Sequence, residues 1–422
     1  MTAQAPSIAT TDVTTPQRRA LVAACAGNAV EWYDYAVYSA SAATLAAVLT
    51  AGGSGGFVTV FAVFAAACLF RPLGSLVIGP RTDRFGRRTT FAAMIVLMAG
   101  ATCAVGLLPP WSAIGVAAPV CLLALRGVQA FSAGGETGVS LAYVSEYSPA
   151  PRRGLNGGWY LSTIAVGLAA GIGATALLAA VLQPASFQTW GWRLPFLFAL
   201  PLGTVGLYLR LRLDETPPFR AVPRHQPVRP TVVLRDHRPA VGRGFLLACA
   251  YSAVFNVWFV FLPSYLSAGG HSTVARSLSG ALVGLLTVVV TAPVLGRLSD
   301  RVGRRPLLIG ACGTLLVAIV PLYLWVAQGS TQALVVGNVV VGVAVAAVVL
   351  PSFLADQFPV RVRATAIGLA FGIGSAVVGG TTPLVATVLS AHAPSVAVPG
   401  YVALWLVGGL VAALRSPETV TR

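Results

Sequence analysis

The sequence predicts an all-α membrane protein of twelve transmembrane helices arranged as two pseudo-symmetric six-helix bundles. Three observations predict it. Of 422 residues, 56% are hydrophobic and 9% charged, and mean hydropathy is +0.80. A soluble domain carries roughly 25% charged residues, so lipid must be the main solvent here. Apolar runs of about 20 residues, enough to cross a bilayer core as a helix, recur from end to end. Finally, a charged turn occurs twice at half-chain spacing: Gly79-Pro-Arg-Thr-Asp83-Arg84-Phe-Gly86-Arg87-Arg88 and Gly296-Arg-Leu-Ser-Asp300-Arg301-Val-Gly303-Arg304-Arg305. Duplicated membrane bundles can rock about a central site, which is the design of a secondary transporter.

A polar tail, 1–19, leads into the first bundle at 20–212. Its spans are expected at 20–48, 57–80, 89–108, 114–146, 157–182 and 192–212. The first and fourth exceed a bilayer core and so tilt or project beyond it. Residues 213–243 open on Asp214-Glu-Thr-Pro-Pro-Phe-Arg220 and stay rich in Pro and Arg. They are too short and polar for a domain and read as a cytoplasmic linker. The second bundle, 244–415, has spans at 244–267, 276–297, 306–327, 332–355, 365–390 and 398–415, followed by a tail at 416–422. The 45 glycines suit close helix packing in a membrane. A second repeat supports the division: Glu146-Tyr-Ser-Pro149-Ala-Pro-Arg152-Arg153 follows span four, and Asp356-Gln-Phe-Pro359-Val-Arg361-Val-Arg363 follows span ten.

The formal charge is +16, and all 28 basic residues are Arg. Of these, 24 fall in the tails, the linker and the turns of one side; Arg193 and Arg276 fall near the other, and Arg71 and Arg126 lie within spans. The asymmetry predicts a multi-pass plasma-membrane protein with both termini cytoplasmic. The basic balance therefore reports topology and contact with the lipid bilayer rather than nucleic acid. Cys25, Cys68, Cys103, Cys121, Cys249 and Cys312 sit within spans without CxxC spacing and read as apolar packing residues. Residues 1–17 lack a basic start, so no cleavable signal peptide is expected. With no P-loop, HExxH, GxSxG in context or Cys/His cluster, neither an enzyme nor a cofactor or metal site is expected. The energy source is then an ion gradient or the solute's own.

Span one reads Gly27-Asn28-Ala-Val-Glu31-Trp32-Tyr33-Asp34-Tyr35-Ala-Val-Tyr38. Asn28, Glu31, Asp34, Tyr35 and Tyr38 share one helical face. Two carboxylates inside an apolar span are costly and must face the bundle interior. They form either a proton site beside a substrate site or a static pair with a buried Arg. Burial favours the protonated form of a carboxyl, as a proton carrier needs. Asp34 lies deeper than Glu31 and is the preferred titrating group. Arg71 and Arg126 are the two mid-span cations. Arg71 either balances a buried acid or binds an anionic substrate, to which its fork is suited. Arg126 is assigned to proton coupling with a nearby acid, and Glu136 follows it by about three turns on the same face. Gln129, Tyr160, Asn256, Trp258, Tyr265 and Asn338 are cavity candidates, with an internally bonded polar residue as the alternative for each.

The repeated turns have a gating use. Gly79 and Gly296 permit close helix approach, and Gly86 and Gly303 permit the turn. Asp83 and Asp300 can accept hydrogen bonds from a neighbouring helix start or an Arg. They are expected to latch the outward-facing state, with Glu146, Asp356, Arg152, Arg153, Arg361 and Arg363 as partners. Arg84, Arg87, Arg88, Arg301, Arg304 and Arg305 either join that latch or anchor the turns to anionic lipid.

At these residues the chain resembles a major facilitator superfamily protein, and more narrowly the metabolite:proton symporter family. The two Asp-Arg-x-Gly-Arg-Arg turns match the superfamily. The narrower resemblance rests on Gly27 to Asp34, Phe70-Arg-Pro-Leu-Gly74, Arg126-Gly-Val-Gln-Ala-Phe-Ser-Ala-Gly-Gly-Glu136, Phe261-Leu-Pro-Ser-Tyr-Leu266 and Gly379-Gly-Thr-Thr-Pro-Leu-Val-Ala386. Thr137 stands where that family usually has Trp, and the tail after 415 is too short for the coiled coil of some osmosensing relatives. The resemblance implies the major facilitator fold and proton-coupled transport of organic acids such as oxoglutarate, citrate or shikimate, or of proline and betaine. The reading is a proton symporter for a small carboxylate-bearing metabolite, functional as a monomer, with protons and the solute as its partners. The alternatives are a proline/betaine-type osmolyte symporter, a proton-driven exporter and a solute-binding membrane sensor.

Overall fold

The computed structural model describes residues 15–51, 54–85, 87–211, 230–268, 272–359 and 362–418, and these form twelve helical rods. In the first half α1 is Thr15–Ala40 continued by Ala42–Leu49, and α2 is Ser54–Cys68 continued by Phe70–Phe85. The others are α3 (Arg87–Gly106), α4 (Ala117–Tyr147), α5 (Arg153–Val181) and α6 (Arg193–Leu211). In the second half α7 runs Arg238–Phe255, loosens into a π-helical stretch at Asn256–Phe261 and resumes at Leu262–Ala268. Then follow α8 (Val274–Val302), α9 (Arg304–Ala327) and α10 (Thr331–Ala347 with Leu350–Asp356). The last two are α11 (Arg363–Ile367 through Gly380–His392, with two π-helical stretches between) and α12 (Ala397–Leu414).

Among the described residues, nine rods are long and apolar enough to cross a bilayer, while α3 and α6 contribute shorter apolar helices. The remaining rod, α1, carries Glu31 and Asp34. The outer faces present exposed Leu177, Val181, Val290, Val317 and Leu404, as a lipid-facing surface should.

Packing reproduces the sequence duplication. Within the first half α2 packs on α4, α3 on α6 and α1 on α6; within the second, α8 packs on α10, α9 on α12 and α7 on α12. The halves meet through α5 against α8 and α2 against α11. These two contacts exchange under the same shift of six helices, so the interface has pseudo-two-fold symmetry. At the first of them Gly154 and Gly296 touch so closely that a Cβ on either would overlap the other's carbonyl oxygen. The turn between α8 and α9 places Gly303 at φ +100°, a conformation that favours glycine.

Several boundaries differ from the expected spans: α1 begins at Thr15, α2 ends at Phe85, α5 begins at Arg153 and α8 ends at Val302. Helix α4 begins at Ala117 after a separate short turn, Trp111–Ile114. Helix α7 begins at Arg238, inside the expected linker, and is preceded by a short helix at Pro230–Asp236. Pro239 can open the helix because its missing N–H would be unpaired there anyway. Arg243 is kept by a hydrogen bond from Nη2 to Gln357 Oε1 of 3.2 Å. Polarity hid this turn of helix from a reading based on apolar runs.

Candidate functional site

The first-span carboxylate Asp34 is buried and belongs to a four-residue network built from α1, α3 and α4. Arg126 Nη1 donates to Gln129 Oε1 at 2.7 Å, and Gln129 Nε2 donates to Asp34 Oδ1 at 2.9 Å and to Thr102 Oγ1 at 2.8 Å. The Arg126 guanidinium also lies 3.7 Å from Asp34 Oδ2. Thr102 Oγ1 reaches both Asp34 Oδ1 and the Met98 carbonyl. Its single proton can serve only one of them at a time. The Arg126 charge is further held over the Tyr38 ring at 4.1 Å and near the Phe64 ring at 5.5 Å. Arg126 and Gln129 are three apart on α4 and so face the same way.

Two cavities adjoin this network. One is bordered by Glu31, Asp34, Tyr35, Arg71, Arg126 and Gln129. The other is bordered by Glu31, Asp34, Thr102 and Glu136. All four residues assigned to proton coupling are therefore brought together, and Arg71 joins them. The Arg71 guanidinium sits 5.9 Å from the Tyr35 ring.

The α1 stripe also touches other elements. Tyr35 Oη donates to Asn256 Oδ1 at 2.6 Å, a direct hydrogen bond between the two bundles. Asn256 opens the π-helical stretch of α7 and donates back to Ser252 O at 2.9 Å. Tyr38 Oη donates to Val60 O at 2.9 Å, and Asn28 Nδ2 donates to Thr163 Oγ1 at 3.0 Å. Tyr160 is buried on α5 against α1 and borders a third cavity between the bundles.

Three candidates stand apart from these cavities. Trp258 is buried with its ring against Gly337 of α10. Asn338 is buried facing α8 and donates to Leu334 O at 2.8 Å. Tyr265 stacks on Phe261, with centroids 5.4 Å apart. Trp258 Nε1 and Asn338 Oδ1 are buried without a hydrogen-bond partner among the described residues.

At the end of the molecule bearing the charged turns, the second copy bonds across to the first half. Asp300 on α8 accepts the backbone N–H groups of Gly154 at 2.7 Å and Leu155 at 2.9 Å, the first turn of α5 in the other half. Buried Arg304 contacts Asp300 at 3.3 Å and Asp356 at 2.5 Å. Arg153 of the first half reaches Asp356 at 3.4 Å, and Ser352 Oγ donates to Arg153 O at 3.0 Å. Arg363 is buried and donates Nε to Phe358 O at 3.2 Å. Arg305 donates to Leu414 O at 2.7 Å, and Arg301 is exposed. Glu146 is half-buried at the end of α4, and Arg152 is exposed. The side chains of Asp83, Arg84, Arg87 and Arg88, the surroundings of Gly79, and all of Gly86 and Arg361 lie outside the described residues.

Several participants were not singled out from sequence. Thr102 carried no signal, because a span hydroxyl ordinarily bonds its own preceding turn, as this one also does. Glu418 accepts the backbone N–H groups of Arg304 at 3.1 Å and Arg305 at 3.2 Å, capping α9 from the tail. Its distance along the chain concealed it.

Two pseudo-symmetric six-helix bundles, with a buried charge network beside their interface, define a membrane transporter rather than an enzyme. The Major Facilitator Superfamily profile matches residues 24–383 and 277–419, and the chain belongs to that superfamily. The chain is 34% identical to the proline/betaine transporter of Escherichia coli, over 96% of this chain and 84% of that protein. It is 33% identical to the glycine betaine/proline/ectoine/pipecolic acid transporter OusA of Dickeya dadantii, with the same coverage. Among solved structures, the partially occluded inward-open xylose transporter XylE of E. coli superposes with a TM-score of 0.76 at 17% identity, over 97% of this chain and 100% of that one. That likeness is one of fold.

Proposed function

We propose that this protein is a proton-coupled symporter of small zwitterionic osmolytes of the proline and betaine type, working by alternating access across the plasma membrane. The relatives favour this over the carboxylate-metabolite reading that the arginines alone invited. One structural observation supports the choice: the cavity beside α1 is bordered by Glu31 and Asp34 as well as Arg71 and Arg126. Charges of both signs suit a zwitterion better than a simple anion. In this reading Asp34 gains and loses the coupled proton. Gln129 and Thr102 are placed to reorganise around it, and Arg126 can pair with the carboxylate when it is ionised. Arg71 receives the substrate carboxylate through its fork. Asp300 and Asp356, with Arg304 and Arg153, hold the halves together at one end of the bundle and release in the other state. By the arginine distribution that end is cytoplasmic.

The test is uptake of labelled proline and glycine betaine into proteoliposomes under an imposed inward proton gradient. Accumulation above the external concentration that collapses with a protonophore supports the reading. Accumulation of organic acids alone, with neither zwitterion carried, refutes it.

A further inference from the structure

The third cavity differs from the other two. It lies between the bundles and is walled by rings from four helices: Trp32 of α1, Tyr160 of α5, Tyr251 of α7 and Phe371 of α11. The rest of its described lining is aliphatic, including Leu350 and Pro351, and contains no charged side chain. The rings form a connected series. Trp32 lies 5.4 Å from Tyr35 and 6.1 Å from Phe255; Phe255 stacks on Tyr251 at 5.9 Å; Tyr251 is 6.5 Å from Phe371. The backbone is unusual at the same place. Helix α10 breaks just before Leu350, where Val349 is held at φ +41°, a conformation that β-branched residues rarely adopt.

Trp32 borders this aromatic cavity and also the charged cavity that holds Arg71. The two spaces therefore share Trp32 as a lining residue. The chemistry of the two ammonium types differs. A proline-like ammonium has N–H groups and can donate to a carboxylate such as Glu31. A quaternary ammonium has none, so its methylated surface gains from ring faces through cation–π attraction, strongest where water is excluded.

We infer that the cavity walled by Trp32, Tyr160, Tyr251 and Phe371 is a subsite for methylated, quaternary ammonium groups. A betaine would seat its cationic head among these rings, with its carboxylate turned toward the Trp32 side of the cavity. Substrates whose nitrogen bears hydrogens use the acidic side of the charged cavity instead. The inference rests on the zwitterion reading above and adds to it a division between two kinds of ammonium. Because the rings come from both halves, a bound head group touches both bundles at once, as a site used in alternating access must.

The experiment uses the full-length protein in proteoliposomes, with glycine betaine, proline and tert-butylacetate as probes. The last keeps the carboxylate and the shape of glycine betaine but replaces its cationic head by an uncharged tert-butyl group. In the wild type, glycine betaine should compete for labelled betaine at least about tenfold better than tert-butylacetate, given the strength of a desolvated cation–π contact. Equal competition overturns the inference, and this measurement stands whether or not any variant folds. Phe371→Leu keeps apolar volume but removes a ring. It should lower the ratio of betaine to proline affinity about tenfold, and Phe371→Tyr should restore that ratio. An unchanged ratio in a folded Phe371→Leu protein overturns the subsite while leaving zwitterion transport intact. A wild-type protein that binds neither zwitterion overturns both.

Discussion

Asp300→Asn is the sharpest test of the latch. The first amides of a helix have no acceptor within their own helix, so whatever protects Gly154 and Leu155 must come from outside α5. Asp300 supplies it, one carboxylate oxygen to each N–H, at 2.7 and 2.9 Å. Asparagine keeps one oxygen and turns its amide N–H₂ toward the other donor. Two hydrogen bonds to a charged acceptor become at most one to a neutral acceptor. A charge-assisted bond contributes roughly 1.5–3 kcal/mol and a neutral one about 1 kcal/mol. Removing the negative charge from the positive end of α5 costs up to about 1 kcal/mol more. Arg304 retains Asp356 as a partner, so its charge is not stranded. A loss of at least about 2 kcal/mol from the latched state follows, equivalent to roughly a 30-fold change in its equilibrium. Hydrogen–deuterium exchange of the peptide at the start of α5 reads this directly, with exchange at Gly154 or Leu155 accelerating by that factor. Solute exchange in proteoliposomes reads the functional consequence. Unaltered exchange at both amides, together with wild-type transport, would refute the argument that Asp300 holds the halves together.

The remaining predictions concern coupling, binding and packing. Asp34→Asn should still exchange solute across the membrane but should no longer concentrate it, because nothing then links solute to the proton; wild-type accumulation in the variant places the proton elsewhere, with Glu31 and then Glu136 next to test. Arg71→Lys keeps the charge but loses the fork and should weaken apparent affinity for carboxylate-bearing solute about tenfold; unchanged affinity makes Arg71 a charge-balancing residue. Gly158→Ala would drive a methyl into the Ala292 carbonyl of α8, costing about 1–3 kcal/mol by overpacking. A lower melting temperature of the purified protein is the expected outcome, and an unshifted one would mean that α5 and α8 are less tightly packed than the structure shows.

The fold was legible because lipid imposes simple rules. Span length, the one-sided arginines and the duplicated turn each follow from the bilayer, and none requires knowledge of side-chain contacts. The turn of α7 before residue 244 was missed because Arg238 and Arg243 interrupt the apolar pattern while the backbone is already helical. The site was legible in part for a related reason. Charged residues within spans are rare enough to announce themselves, and Asp34, Arg71, Arg126 and Glu136 all border the cavities beside α1. Neutral polar residues give no such signal. Nothing in the sequence separates Gln129, which bridges Arg126 and Asp34, from Asn338, which bonds its own helix. Aromatic residues are equally ambiguous. Trp258 fills the second bundle's core, whereas Trp32 borders two cavities.

The placement of these groups on α1 bears on how a proton could move a bundle. Asp34 and Tyr35 are adjacent in sequence but point to different partners. Asp34 faces Thr102 and Gln129 within its own half, and Tyr35 reaches Asn256 in the other half. Two residues earlier, Trp32 meets Phe255 across the same interface. One turn of α1 thus joins the group assigned to the proton with two of the contacts that tie the bundles together. Under the proposed role of Asp34, loss of its charge would weaken its pairing with Arg126, and that change would act on the same turn from which Tyr35 projects. Asn256 can answer such a movement because it opens a π-helical stretch, where the backbone ladder is already altered. Coupling in this arrangement requires no long relay: the protonated group, the inter-bundle hydrogen bond and the wall shared by two cavities lie within a single helical turn.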